Sequence, residues 1–467
     1  GWLAARRIRN MSDFVVGGKR LGFWVAAFSA QATGESAWLL LGLTGMGAMV
    51  GFSAYWVVVG EVIGVALAWF LMASRFKRLT DQYESLTIDA TGSAFAAFQE
   101  WDYLMRAIVG FVVVAAYCVA GGFLAAAWTD LFQGSVMLLC LVMLPVVAYL
   151  SLSNSDAIYA GLQMIDPGLV SIWGAGGLTW INVCLAIGMV AIGLGFLGSP
   201  QVFARLIAIR SNDQIRRGKW VALLFTILVD FSAVSIGILG RYLFTEAGVA
   251  PDAVLGNGAQ NVLPEMVEYT FPPWIVGLYV AAVLAAIMST VSSLLVMAAA
   301  SVTHDLYARM LNPGIGDAAA ARLCRRVTLA MAALALSLAI TVSVLSPERT
   351  IFWFVIFGWS GIAATFCPMI ILSLFWPRFT ERAAIASMVA GFSMTIISKF
   401  VLQELEVAGP YFAALETMPP SFLFALLVGW AVSLAWPSES LQSQYRADLD
   451  ELSTELSGRG MASRLQP

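Results

Sequence analysis

The chain has 467 residues, 60% of them hydrophobic and only 12% charged, with a mean hydropathy of +0.82. A soluble domain of this size needs far more charge to cover its surface. The net charge of −3 comes without a basic stripe, a zinc spacing or a nucleophile–base pair, so neither a nucleic-acid partner nor an enzyme is expected.

Residues 1–20 begin with Gly1-Trp2, followed by Arg6, Arg7 and Arg9; this reads as the tail of an earlier helix and a cytoplasmic loop, with no cleavable signal peptide evident. Eleven long apolar runs follow, at 24–49, 52–73, 104–127, 133–151, 180–199, 219–243, 274–300, 326–345, 351–375, 382–402 and 421–436. About 20 such residues cross a hydrocarbon core. Backbone groups in lipid must be satisfied within the segment, so the runs are helices; barrel strands would alternate with period two. The expected fold is an all-α membrane bundle.

The first run is interrupted at Ala32-Thr33-Gly34-Glu35-Ser36. Small and polar residues around a glycine are the mark of a broken helix, whose freed carbonyls can bind a cation. A Ser/Thr packing face is the plainer reading. A carboxylate at mid-membrane, Glu35, favours function. Glu61 and Asp230 are further acids within helices, and Asp130 follows Trp128-Thr129 at what reads as a cytoplasmic helix end. Intramembrane carboxylates are functional by default, although each could still be a neutral, hydrogen-bonded acid. Gly193-Leu194-Gly195-Phe196-Leu197-Gly198-Ser199-Pro200 reads as a second broken helix, against the alternative of close glycine packing. In Ala285–Ser293, four hydroxyls (Ser289, Thr290, Ser292, Ser293) fall within five residues. At about 100° per residue, 289, 292 and 293 share a face. Hard oxygens on one helix suit sodium, although hydroxyls can also bond their own i−4 carbonyls and do nothing more. The five cysteines lie in or beside apolar helices and read as buried thiols; His304 reads as a surface contact.

Of the 26 lysines and arginines, 22 fall in six stretches that should face the cytoplasm: 6–20, 75–78, 205–219, 309–326, 378–382 and beyond 440. Between Arg78 and Arg205 the apolar runs make three crossings, an odd number joining two same-side loops. One crossing is therefore expected to be missing between Ile88 and Asp89, with Ala90–Phe98 as its remnant. A re-entrant half-helix is the alternative.

On Ser12–Gly18, Trp38-Leu39-Leu40, Gly121–Ala125, Trp128-Thr129-Asp130, Gly193–Pro200, Ala285–Ser293 and Asp305-Leu306-Tyr307, the chain resembles the sodium/solute symporter family, and within it the sodium/proline symporters. The resemblance implies an inverted five-plus-five helix repeat (LeuT-type) core with extra terminal helices: an N-terminal extension at 1–20, the core at 21–376, two further helices at 377–436 and a cytoplasmic tail at 437–467. The family's first helix and much of its fourth would be absent.

The resemblance also implies a principal sodium site of Ala32, Glu35 and Ala286 carbonyls with Ser289 and Thr290 hydroxyls, and a second sodium site of Asp130, Ser289, Ser292 and Ser293. Substrate would bind near Ser36, Trp38, Ile192, Phe196 and Trp359. Proline symporters carry an aspartate where Gly34 stands, and a tryptophan and tyrosine where Ile192 and Phe196 stand. They are neutral at positions 35, 61 and 230, so the acid is displaced by one residue or protons take part in coupling.

The expected function is sodium-coupled symport of a small organic, amino-acid-like solute, with proline a candidate, into the cell across the inner membrane. The partners are sodium, the solute and the lipid bilayer. A proton-coupled symporter and the membrane sensor of a signalling protein are the alternatives; about thirty residues after the last helix argue against the sensor.

Overall fold

The computed structural model describes residues 19–82, 103–152, 157–312, 314–345 and 350–437. The expected gap at 88/89, its Ala90–Phe98 remnant, the Ser12–Gly18 motif and the polar tail lie outside them. Nine stretches among the described residues are long and apolar enough to cross a bilayer. The one extended element there is a bridge in which Leu21 runs parallel to Ile209.

The first helix comes in two pieces. α1 (Phe23–Gly34) stops at Glu35, and after an extended residue the chain resumes as a π-helical turn, Trp38–Leu43, leading into α2 (Thr44–Val50). A tight turn at Gly51–Ala54 leads to α3 (Tyr55–Leu67), which runs on through a second π segment into α4 (Ala73–Gln82). α5 is a single helix from Tyr103 to Ser151. The sequence reading had two crossings here, at 104–127 and 133–151. Trp128–Gln133 contains no proline and no turn pair, so a few polar residues do not end the helix. Asp130 therefore sits inside a helix instead of at its end.

After the short α6 (Ala157–Ile165), the second broken helix runs α7 (Trp180–Ala191), a 3-10 segment Ile192–Leu197, and α8 (Pro200–Ile207). α9 (Asn212–Phe244) is the long central helix, packed along α1, α2, α3 and α5. Two short outer helices, α10 (Pro251–Leu255) and α11 (Val262–Thr270), precede α12 (Pro273–Ala300), which continues as a π helix to Leu311. α13 (Asp317–Leu345) and α14 (Ile351–Phe375) follow. α15 (Glu381–Phe400), α16 (Gly409–Leu415) and α17 (Met418–Ala435) close the chain, with α15 and α17 packed on each other and on α14.

The buried apolar residues form two main clusters. One gathers Leu21, Trp69, Phe203 and Leu374, the other Leu39, Met137, Val234 and Met266, and Trp359 packs against both. On the outside, α5 exposes Phe132, Leu139, Val146 and Leu150, a stripe fit for lipid. Exposed indoles at Trp180, Trp220, Trp274 and Trp436 lie near helix ends, where amphipathic rings prefer the interface.

Candidate functional site

The two breaks use the same device. Where α1 ends, Glu35 is extended (φ −93°, ψ 115°) and the last carbonyls lose their helical partners. The Gly34 carbonyl accepts the Trp38 indole N–H at 2.9 Å. At the second break, the Ile192 carbonyl accepts the Trp359 indole N–H, also at 2.9 Å. Pro200 opens α8 at a position where no helical donor is needed. The chain before α1 and the chain after α8 are stitched together: Leu21 N–H donates to the Ala208 carbonyl (2.9 Å) and Arg210 N–H to that of Leu21 (3.0 Å).

α12 lies against the first break. The Ser289 hydroxyl bonds the Ala32 carbonyl at 2.7 Å and the Ala286 carbonyl at 2.8 Å, and the Thr290 hydroxyl bonds the Thr33 carbonyl at 3.0 Å. Four of the five expected principal-site residues thus meet, three of them as converging oxygens. Glu35 contributes differently. Its N–H still closes the helix on the Gln31 carbonyl at 2.8 Å, while its side chain belongs to the acid cluster described below.

At the expected second site, Asp130 meets an arginine. Asp130 is fully buried and ion-paired: its Oδ2 lies 3.1 Å from the Arg205 guanidinium and accepts the Ser29 hydroxyl at 2.6 Å. Arg205 also donates to Ser29 (3.1 Å), to the Gln201 carbonyl (2.7 Å) and to Ser293. Ser293 is also within 3.3 Å of Thr33, while Ser292 bonds the Ser289 carbonyl of its own helix. The sequence reading counted Arg205 among cytoplasmic loop charges. It is 0% exposed. The available signal was its setting, a lone arginine inside the apolar helix that Pro200 opens.

The remaining intramembrane acids, singled out separately in the sequence, come together. Glu35, Glu61 and Asp230 reach in from the end of α1, from α3 and from α9, and one oxygen of each lies within 4.8 Å of the others. All three are 0% exposed, and none of their six carboxylate oxygens has a hydrogen-bond partner. The reading of each as a neutral acid bonded within the bundle finds no such bond. At 4.8 Å and an effective dielectric of about 20, each ionised pair repels by about 3 kcal/mol. The α3 wall of this cluster touches the second break: a methyl group on Gly193 would lie 1.9 Å from the Gly60 carbonyl oxygen and 2.9 Å from the Glu61 nitrogen. The glycines of that stretch thus serve close packing as well as the break.

Of the expected substrate residues, Trp38 and Ile192 are buried in one apolar cluster and Phe196 in the other, with Trp359 packed against both. Phe196 and Trp359 meet edge to face with ring centroids 5.5 Å apart, and Trp38 packs on Phe352 at 6.2 Å. Ser36 is half-buried in the break beside Glu35. A Cβ on Gly34 would stand 2.6 Å from the Phe196 ring. Any side chain at 34 would have to displace the Phe196 ring.

Known proteins agree with this architecture. Over 97% of the chain and 99% of its own length, a high-affinity proline transporter, PutP, of Bacillus subtilis is 29% identical. The sodium/proline symporter of Escherichia coli is 29% identical over 85% of the chain and 84% of its own length. Among solved structures, a Na+-coupled sialic acid symporter superposes with a TM-score of 0.69 at 15% identity, covering 94% of this chain and 95% of that one. Its fold is the inverted-repeat one expected. A family model matches residues 14–91 and 85–391, in two pieces that overlap at 85–91. With this match over most of its length, the multi-pass plasma-membrane chain belongs to the sodium:solute symporter family.

Proposed function

We propose that the protein imports a small, amino-acid-like organic solute by sodium-coupled symport, with the solute held between the two helix breaks. The observation that carries the reading is the meeting of the Ala32 and Ala286 carbonyls on Ser289, with Thr290 beside them. Sodium takes neutral hard oxygens of this kind, and here they sit where a broken helix and α12 touch, so binding an ion ties one moving part to the other. The hydroxyl–carbonyl bonds seen here are those an entering ion replaces.

Proline is the first solute to test, because the relatives over most of the chain are proline transporters. The pocket is less polar than a proline site with a free indole N–H and phenol would be: both indoles are spent on backbone carbonyls, and residues 192 and 196 are Ile and Phe. A solute with an apolar body and one charged end fits it best. At Asp130 the reading is conditional. Arg205 fills the cation's place in this conformation, so sodium reaches Asp130, Ser289, Ser292 and Ser293 only after the guanidinium has moved away. We also propose that a crossing is missing at 88/89, on the family match, whose two pieces overlap there.

Uptake of labelled proline and related amino acids into proteoliposomes, with and without a sodium gradient, tests the function. Ser289→Ala and Thr290→Ala are each expected to raise the half-maximal sodium concentration about tenfold, since a lost ligand worth about 1.4 kcal/mol is a factor of ten. Wild-type sodium dependence in both variants would rule the site out.

A further inference from the structure

Glu35, Glu61 and Asp230 form a second kind of cation seat, one that resembles neither the hydroxyl–carbonyl site nor the Arg205-filled one. Three helices each bury one carboxylate, the nearest oxygens lie within 4.8 Å, and all six oxygens lack a donor. Three oxygens at the corners of a 4.8 Å triangle stand about 2.8 Å from its centre, by dividing by √3. Contacts of about 2.4 Å, usual for an ion of this size, need only a few tenths of an ångström of closure.

A further unsatisfied oxygen lies on the same seam. Gln31 is four residues before Glu35, and Thr226 is four before Asp230; Gln31 Nε2 donates to Thr226, and its Oε1 is buried without a partner. The α1–α9 seam thus carries a neutral amide oxygen one turn from the acids.

Among the described residues, the surroundings supply no resident cation. The charges acting on Glu35 are Asp230 and Glu61, and that acting on Glu61 is Asp230. The π turn at 38–43, α2 and the 192–197 segment bring no titratable side chain. From α5 come Cys140 and Asp130, the latter held by Arg205, and α12 brings Tyr279, which bonds the Cys140 carbonyl. Further along α9, Arg241 has Asp166 and Asp252 as its acting charges. At the outer end of α3, Tyr55 bonds Ser235.

We infer that this cluster binds one sodium ion in exchange for one proton. Glu35 would then join both seats, since its backbone ends the helix that offers carbonyls to Ser289 while its carboxylate closes the cluster. The inference deepens the symport reading and rests on it. Three acids cannot all be ionised with nothing between them, and a carboxylate that binds a metal must give up its proton. Sodium enters, one carboxyl O–H bond breaks, the proton leaves to water, and the cluster's total charge is unchanged. The neutral oxygens around Ser289 release no proton when they bind sodium. This difference separates the two seats.

The experiment adds sodium, against a choline control, to purified full-length protein in weakly buffered detergent near neutral pH, with an indicator dye reading released protons. Wild type is expected to release about one proton per chain. Glu61→Gln and Asp230→Asn should release none, and Ser289→Ala should still release one while its half-maximal sodium for uptake rises. The two acid variants lie on separate helices, so one that fails to fold leaves the other to decide, and Glu61→Asp should restore the release. No release from wild type, or unchanged release from both acid variants, overturns the proposal. So does release triggered by micromolar calcium and not by sodium. Loss of the Ser289→Ala uptake effect with release intact would overturn only the principal-site reading.

Discussion

Asp130 and the Glu35–Glu61–Asp230 cluster are both fully buried acids in the membrane interior, and the protein treats them in opposite ways. In this conformation Asp130 has a cation beside it: Arg205 ion-pairs with it, and Ser29, the Gln201 carbonyl and Ser293 take up the guanidinium's other donors. The three clustered acids have no cation, no hydroxyl and no backbone N–H. A buried charge pair with its hydrogen bonds satisfied holds two elements in place, here α5 and α8. An unsatisfied cluster costs stability and persists where a ligand completes it. Within one bundle, then, one buried acid is neutralised by an arginine and three are left without a partner among the described residues.

Removing charge should therefore have opposite signs at the two places, and this is the largest expected effect. Arg205→Ala leaves Asp130 buried and uncompensated, and should destabilise the protein by about 3–5 kcal/mol. Sodium should restore part of the loss, because the emptied place is the one expected of a second sodium ion. Asp130→Asn added to Arg205→Ala should recover stability without sodium. By contrast, Glu61→Gln or Asp230→Asn removes a repelling charge and should leave thermal stability unchanged or raise it by about 1–3 kcal/mol. Thermal unfolding in detergent, with and without sodium, measures all four. Equal losses at both places would erase the contrast.

Much of this was legible in the sequence because the membrane makes the rules strict. Apolar length gave most of the crossings, and a glycine or proline inside such a run pointed to both breaks, read at 32–36 and 193–200, the first falling at the C-terminal end of its range. The hydroxyl cluster at 289–293 was conspicuous in an apolar helix, and Thr290, which lies off the face shared by 289, 292 and 293, entered through the family resemblance. What could not be read was which acid meets which. Glu35, Glu61 and Asp230 lie up to 195 residues apart on three helices (230 − 35 = 195), and no spacing rule links residues across a bundle. Arg205 was misplaced for a different reason: it begins a basic stretch, 205–219, so charge counting swept it into a loop although its own helix is apolar. The joining of 104–127 and 133–151 was missed because polar residues at 128–133 were taken as an end, when a helix needs a breaker to stop.

A smaller effect tests how tightly position 34 packs against Phe196. Phe196 takes the room a side chain at 34 would need, with 2.6 Å to a Cβ there. Gly34→Ala should thus cost about 1–3 kcal/mol through overpacking. Phe196→Leu should tolerate the same alanine with less loss, so the two changes together should cost less than the sum of each alone. A double-mutant cycle read by thermal unfolding gives the coupling, and strict additivity would show that 34 and 196 are independent. With coupling present, Gly34→Asp in the Phe196→Leu background places a fourth acid beside the cluster, and should lower stability more than Gly34→Ala does.

The smallest effect comes from an acid intermediate between the two kinds, outside the crossing helices. Glu416 lies in the link between α16 and α17, partly buried, in the left-handed backbone region (φ 62°). Burial pushes its carboxyl up from 4.5 to about 7, and the attraction of Lys399 and a hydrogen bond with Gln403 only partly oppose this. For an acid whose folded value is raised, the stabilising protonated form is fully present below about 4.5; the contribution is lost as pH climbs through about 7 and changes little above that. The whole shift would correspond to about 3 kcal/mol, but a side chain that water partly reaches delivers a fraction of that, about 1 kcal/mol. Glu416→Gln cannot ionise, so it should match wild type near pH 4.5 and exceed it by a degree or two in Tm at pH 8. Lys399→Met removes the nearby cation and should steepen the wild-type fall over the same window. Parallel melting curves for Glu416→Gln and wild type across pH 4.5 to 8 would mean that this carboxylate is as well hydrated as one on an open surface. The partial neutralisation by Lys399 would then play no part in holding the last helices together.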